Sequence, residues 1–207
     1  MIVAIGHESG VGKDLFCSLL IDDLRRQNLM KGLEIVRRGF ADPVYDTCQK
    51  IYGWAGFQSR EYYLRNRKAK TEVLPLLGKT PVDLLIGVAE AVRVFDPAAW
   101  LNANVMDKSA HLKLINDLRK VNEFEYCEAN GIFRLRIRVP GKPRSELFSD
   151  KDLYDMPDDR WSETIENDGT IGDFNVKVRD FADRVVVPQL MKYRSGECKP
   201  GNYRHVN

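Results

Sequence analysis

The residues best equipped for chemistry stand near the amino terminus, in Gly6-His7-Glu8-Ser9-Gly10-Val11-Gly12-Lys13-Asp14. Glycines let a backbone turn tightly enough for successive N–H groups to point inward at an anion. A helix beginning at Lys13 would add its positive end, and the lysine a point charge. Ser9, Gly10, Val11, Gly12, Lys13 and Asp14 are therefore candidate binders of a nucleotide's β and γ phosphates. Two positions depart from the pattern GxxxxGK[ST]: His7 occupies the first glycine position, and Asp14 replaces the hydroxyl residue that usually meets magnesium. Carboxylate oxygens suit a hard cation, so Asp14 is a candidate metal ligand, directly or through water. It is equally the first-turn acid that a helix dipole favours. The plainer alternative for the whole segment is a glycine-rich turn ahead of an ordinary helix.

Phosphoryl transfer asks for cations and metal ligands around an aligned donor and acceptor more than for covalent help. Asp117, expected at the carboxyl edge of a strand, is a candidate to organise magnesium or its waters. Arg93 and Arg119 could grip an acceptor phosphate and the moving phosphoryl group, because a guanidinium fork matches phosphate oxygens. Their plainer readings are a solvated helix residue and a loop ion pair with Asp117. Asp42, just ahead of Pro43, could touch an acceptor's sugar or base, or simply start a helix. Lys142 and Arg144 fall in a stretch suited to a closing lid, or to a solvated basic loop. Tyr62, Tyr63 and Trp100 could stack on a base, although aromatics at such spacing also build cores. Arg134, Arg136 and Arg138 alternate with Leu135 and Ile137. In a central strand they cannot all stay unpaired, so at least one must reach a carboxylate or a phosphate.

The elements that must position these residues alternate. Ile2 to Ile5 reads as a strand, followed by the glycine loop and a helix from about Lys13 to Gln27. In that helix Leu15, Leu19, Leu20 and Leu24 face the core, with Asp22, Asp23, Arg25 and Arg26 on the solvated side. A second strand runs from Leu33 to about Phe40, and a helix from Asp42 to about Trp54. Residues 59–107 break into helical pieces at Pro75, Gly78, Pro81 and Pro97. Leu112 to Asn116 reads as the third strand, Asn122 to Asn130 as a helix closed by Gly131, and Ile132 to Val139 as the fourth strand. Pro140 to Arg160 lacks a sustained period and suits a mobile lid. A fifth strand near Glu163 to Glu166 meets the turn Asn167-Asp168-Gly169. A final helix then carries Phe174, Val178, Phe181, Ala182 and Val185 on one face, and the basic tail after Tyr193 is expected to fray. The fold expected is α/β: a three-layer P-loop sandwich with a parallel sheet of about five strands and helices on both faces.

Composition bounds the rest. With 207 residues and 43% apolar content, one domain with a full core is expected. A formal charge of +2 with interspersed signs calls for neither nucleic acid nor membrane as partner. No apolar run reaches membrane-span length and no signal-peptide pattern opens the chain, so a cytoplasmic protein is expected. Cys17, Cys48, Cys127 and Cys198 are scattered and read as free thiols.

Taken together, these segments resemble the phage-type deoxynucleoside monophosphate kinases, whose phosphate loop is similar in ending Gly-Lys-Asp. The resemblance continues in chain order through Phe40-Ala41-Asp42-Pro43 and Gly53-Trp54, and through Lys79-Thr80-Pro81 to Glu90, Arg93 and Asp96-Pro97-Ala98-Ala99-Trp100. It closes with Asp117-Leu118-Arg119 and Asn122-Glu123, Ser145-Glu146, and Asn167-Asp168-Gly169. His7, Leu15 and the stretch Leu85-Ile86-Gly87-Val88 depart from that pattern. The resemblance implies a nucleoside monophosphate kinase fold with ATP and magnesium (Mg2+) as the donor system. It implies transfer to a deoxynucleoside 5′-monophosphate (a dNMP), with Asp42, Arg93 and Trp100 on the acceptor side. A phage-encoded chain would work in the host cytoplasm. The family includes dimers, so a homodimer is allowed, but no residue here implies one. Competing readings are a kinase of another small phosphorylated acceptor such as phosphomevalonate, a non-catalytic nucleotide-binding module, and a nucleic-acid binder using the arginine strand and basic tail.

Overall fold

Five short strands pair into one wholly parallel sheet: β1 (Ile2–Gly6), β2 (Ile35–Arg38), β3 (Leu112–Leu118), β4 (Phe133–Arg138) and β5 (Glu163–Glu166), in the order β2-β3-β1-β4-β5. The computed structural model describes residues 1–6, 8–105, 110–144 and 151–197. These fall into two compact units, one of residues 1–39 and 110–197, the other of residues 40–105. All of β1 is buried, as expected of a central strand covered on both faces. Its neighbour β4 sends its connection to the opposite side of the sheet from the one β1 takes, so the loop leaving β1 opens at the carboxyl edge where α/β sheets gather ligands.

On one face Val3, Ile5, Leu114, Leu135 and Ile137 meet α1 (Lys13–Arg26) and α7 (Ile171–Phe181). Phe16 lies edge-on to Phe181, centroids 5.4 Å apart. The stripe of α1 is shifted from the one expected. Phe16, Cys17, Leu20 and Leu24 are wholly buried, while Leu15 and Leu19 are only half-buried. Asp23, expected in solvent, is also buried. It accepts a hydrogen bond from Gln27 at 2.7 Å and pairs with Arg26 and Arg179, the latter supplied by α7 packing along α1.

On the other face α6 (Val121–Ala129) sets Phe124 against Trp161, centroids 4.9 Å apart, under the guanidinium of Arg134. Gly131, at φ +63°, closes that helix in the left-handed region as its position suggests. After α7 Val185 packs half-buried against the core as expected, and Val186 and Leu190 are buried fully. A π turn over Ala182–Val186 inserts extra backbone before α8 (Val187–Arg194), where Pro188 offers no N–H to an α-helical ladder. Of the stretch 140–160, residues 145–150, including Ser145 and Glu146, lie outside the described residues. The remainder is not a bare loop: Leu153 is fully buried and Asp158–Arg160 forms a 3-10 turn. Most of the expected basic tail, 198–207, also lies outside them, as does Cys198. Cys17, Cys48 and Cys127 are free thiols.

The second unit is helical: α2 (Asp42–Tyr52), α3 (Arg60–Arg65), α4 (Pro81–Phe95) and α5 (Ala99–Val105). Val44, Tyr45, Cys48, Phe57, Tyr63, Ala89 and Trp100 form its core. Thr80 and Asp83 close a capping box at the start of α4. This unit covers the helical region that the prolines and glycines outline. No helix among the described residues is long and apolar enough to cross a membrane.

Candidate active site

Between β1 and α1 the backbone turns through Gly10 at φ +74° and Gly12 at φ +101°. Both values lie in the region that glycine alone enters without strain. Gly6 is fixed by packing instead, since a Cβ there would stand 2.6 Å from the Trp161 ring. The far side of the loop is braced by Asn167, whose Nδ2 donates to the Val11 carbonyl at 3.1 Å and lies 2.8 Å from where a Cβ on Gly12 would be. His7 is outside the described residues.

Two ammonium groups converge on this loop. Lys13 is buried to 7% exposure and its Nζ donates to the Glu8 carbonyl, folding the side chain back over its own loop. Lys142, expected in the lid, has its Nζ 3.5 Å from a Glu8 carboxylate oxygen and its Cε 3.9 Å from a Cβ position on Gly10. Arg144 does not join it. Its guanidinium pairs with Asp155 and lies over the Tyr154 ring, which keeps it within its own segment. Ser9 is half-buried and Val11 fully buried in the loop.

Asp14 carries a carboxylate that is 55% exposed and ion-paired with Arg37 of β2. It also accepts a hydrogen bond at 2.5 Å from Nδ2 of Asn116, in β3. The pairing of β2 with β3 sets Arg37 opposite Leu114, so Asn116 follows two residues on along the same face. One turn into α1, burial pushes the Cys17 thiol up to about 12. The charges of Arg37 and Lys13 pull it down, and those of Asp14 and Asp117 push it further up. The charges of Arg37, Lys13, Asp14 and Asp117 are all near enough to act on this buried thiol. Asp117 is half-buried and lies inside β3, which runs two residues further than the expected Asn116. Arg119 is half-buried just past the strand, and its backbone N–H donates to Glu123 Oε2 at 3.0 Å.

Oxygen donors suited to magnesium are present. Asp14 and Asp117 offer carboxylates, and Asn116, at 6% exposure, has a buried Oδ1 that accepts no hydrogen bond among the described residues. No group of three or more His, Cys, Asp or Glu side chains forms a metal cluster among those residues. A magnesium ion that arrives with phosphate oxygens and waters asks only one or two carboxylates of the protein. The residues fit that mode.

In the arginine strand Arg136 is 4% exposed and donates to Asp158 Oδ1 at 2.7 Å and to Thr164 Oγ1 at 3.3 Å. Arg134 donates to the Arg160 carbonyl, and Arg138 is half in solvent beside Asp158. At least one arginine of this strand thus reaches a carboxylate, and the carboxylate is the protein's own Asp158.

Within the second unit, Arg93 pairs with Glu90 at 2.6 Å on α4, its side chain 27% exposed. Asp42 is buried as the first residue of α2, with the Arg60 Nε 2.6 Å from its Oδ1 in an ion pair. Trp100 differs from expectation. It is a core residue at 8% exposure, and its indole N–H donates to the Ala89 carbonyl, which removes its ring from the role of a stacking platform. Tyr63 is likewise core at 1%, while Tyr62 is exposed. A hollow of about 330 Å³ lies between Tyr52 and the first turns of α4, with Lys79 and Asp83 in its wall.

Arg37 and Asn116 are the site residues that sequence reasoning missed. Their meeting with Asp14 depends on which strands become neighbours, and no local spacing records that. Comparison with known proteins adds no family: no protein-family model matches the chain, and no curated protein matches it significantly.

Proposed function

We propose that this protein is an ATP- and magnesium-dependent phosphotransferase whose acceptor is a deoxynucleoside 5′-monophosphate. The observation that carries the proposal is the loop of residues 6–14. It has left-handed glycines at 10 and 12, a helix starting at Lys13, and the Lys13 and Lys142 ammonium groups converging on it at the carboxyl edge of the central strand. Backbone N–H groups and two cations in that arrangement suit the β and γ phosphates of a nucleoside triphosphate.

An oxygen of the acceptor's phosphate attacks the γ phosphorus in line as the bond to the β–γ bridging oxygen breaks. ADP carries away that electron pair, and the acceptor leaves as a diphosphate. A phosphate nucleophile is already anionic and needs no general base, so the protein's work is alignment and charge compensation. Lys13 and Arg119 are assigned to the transferring group, and Arg93, with Asp42, to the acceptor. Magnesium, when bound through Asp14 and Asp117, would neutralise charge on the phosphates. The acceptor class rests on the ordered resemblance of the whole chain to deoxynucleoside monophosphate kinases.

A second reading, nucleotide binding without turnover, is favoured by one observation: the Asp14 carboxylate is engaged by Arg37. ADP formation from ATP and magnesium separates the two when each of the four deoxynucleoside monophosphates, the ribonucleotides and phosphomevalonate is supplied in turn. Stimulation by a deoxynucleotide supports the kinase reading. ATP binding with no stimulation by any acceptor replaces it with the second, and stimulation by phosphomevalonate alone reassigns the acceptor.

A further inference from the structure

Placing an aspartate where phosphate loops carry a hydroxyl adds a full negative charge at the mouth of an anion site. Left alone, that charge repels the polyphosphate the loop is shaped to hold. In this protein the charge is not alone: Asp14 is gripped by the Arg37 guanidinium from β2 and by the Asn116 amide from β3. Each partner keeps one buried polar atom unmatched among the described residues, the Nε–H of Arg37 and the Oδ1 of Asn116. One is a donor and the other an acceptor. A phosphate oxygen would take the first, and a water on a bound cation would satisfy the second.

We propose that Arg37 is the counter-charge that makes an aspartate-bearing phosphate loop able to bind a nucleoside triphosphate, and that it restricts Asp14 to holding magnesium through water. The proposal rests on the phosphate-binding reading of the loop and adds a positioning residue to it. With Arg37 in place the loop accepts the triphosphate even without metal. Without Arg37, the bare carboxylate makes binding depend on magnesium to supply the missing positive charge.

The test is ATP affinity of the full chain by calorimetry, in EDTA and in magnesium, for the wild type, Arg37→Gln, Arg37→Lys, Asp14→Ser and the double variant Asp14→Ser/Arg37→Gln. One unit charge a few ångströms from the phosphates in a half-solvated setting corresponds to about tenfold in affinity. Arg37→Gln should therefore weaken metal-free binding about tenfold and magnesium-supported binding clearly less, while Arg37→Lys keeps most of the affinity. The double variant should return to within about twofold of wild type, because both charges are gone. A double variant that stays as weak as Arg37→Gln, or an Arg37→Gln protein with no loss at all, would overturn the counter-charge role. If Arg37→Gln does not fold, Asp14→Ser alone decides: tighter metal-free binding is expected, and unchanged affinity refutes. A wild type that binds no ATP in either condition removes the phosphate-loop reading itself, an outcome distinct from all of these.

Discussion

Replacing Gly12 by alanine perturbs the loop in two separable ways. At φ +101° the alanine backbone enters a region that costs an L-residue about 1–2 kcal/mol. Its Cβ would also stand 2.8 Å from Nδ2 of Asn167, a group whose hydrogen bond to the Val11 carbonyl spans 3.1 Å. Moving that amide away gives up a bond worth about 1 kcal/mol. The sum is about 2–3 kcal/mol, which for a chain of this size lowers Tm by about 4–12 °C. Differential scanning calorimetry of Gly12→Ala measures the total. The same substitution made in an Asn167→Ala background isolates the backbone part, and its increment should shrink by about 1 kcal/mol. An increment that stays the same would refute the claim that Asn167 occupies the space a side chain needs. A Gly12→Ala protein as stable as wild type would refute both parts.

Arg93→Ala should leave Tm within about 1–2 °C of wild type, since an exposed i,i+3 pair with Glu90 contributes little. It should raise the acceptor KM about tenfold or more, the scale of one lost charge-assisted phosphate contact, with ATP affinity unchanged. Unaltered acceptor kinetics would remove Arg93 from the acceptor site. The carboxyls of Asp83 and Asp173 sit below their ordinary value of 3.8, chiefly because the Thr80 and Thr170 hydroxyls donate to them and then because the same residues' backbone N–H groups do. A depressed native value means stabilisation fully present above 3.8 and lost as pH falls through the lowered values. Tm measured downward from pH 7 should therefore lose this contribution only below about pH 4. Asp173→Asn should flatten the acid limb, and an unchanged acid limb would contradict the assignment.

How much of this was legible beforehand depended on whether the determinant was local. The fifth strand, Glu163–Glu166, and the strand–loop–helix at the amino terminus follow from short-range pattern, and so does the closure of α6 by Gly131. The buried stripe of α1 was legible only in part, at Leu20 and Leu24. Leu15, Leu19, Leu20 and Leu24 with Phe16 and Cys17 offer two overlapping faces, and the landing of α7 with Phe174, Phe181 and Arg179 selects one. Val186 is fully buried beside a half-buried Val185, where a π turn ahead of Pro188 changes the period within one helical run. The glycine loop announced Lys13 and Asp14. The partners of Asp14 come from two strands separated by more than seventy residues, and only the pairing of β2 with β3 brings Arg37 and Asn116 together. Trp100 was ambiguous for another reason: an aromatic ring serves a core and a base equally well until its N–H is seen to have a buried acceptor.

Transfer of a phosphoryl group can be followed with γ-labelled ATP, magnesium and each deoxynucleoside monophosphate in a single-turnover reaction. Label should appear in a deoxynucleoside diphosphate, at a rate abolished by Lys13→Ala in a protein that remains folded. Label found only in inorganic phosphate, or in the diphosphate at the same rate with Lys13→Ala, would contradict it.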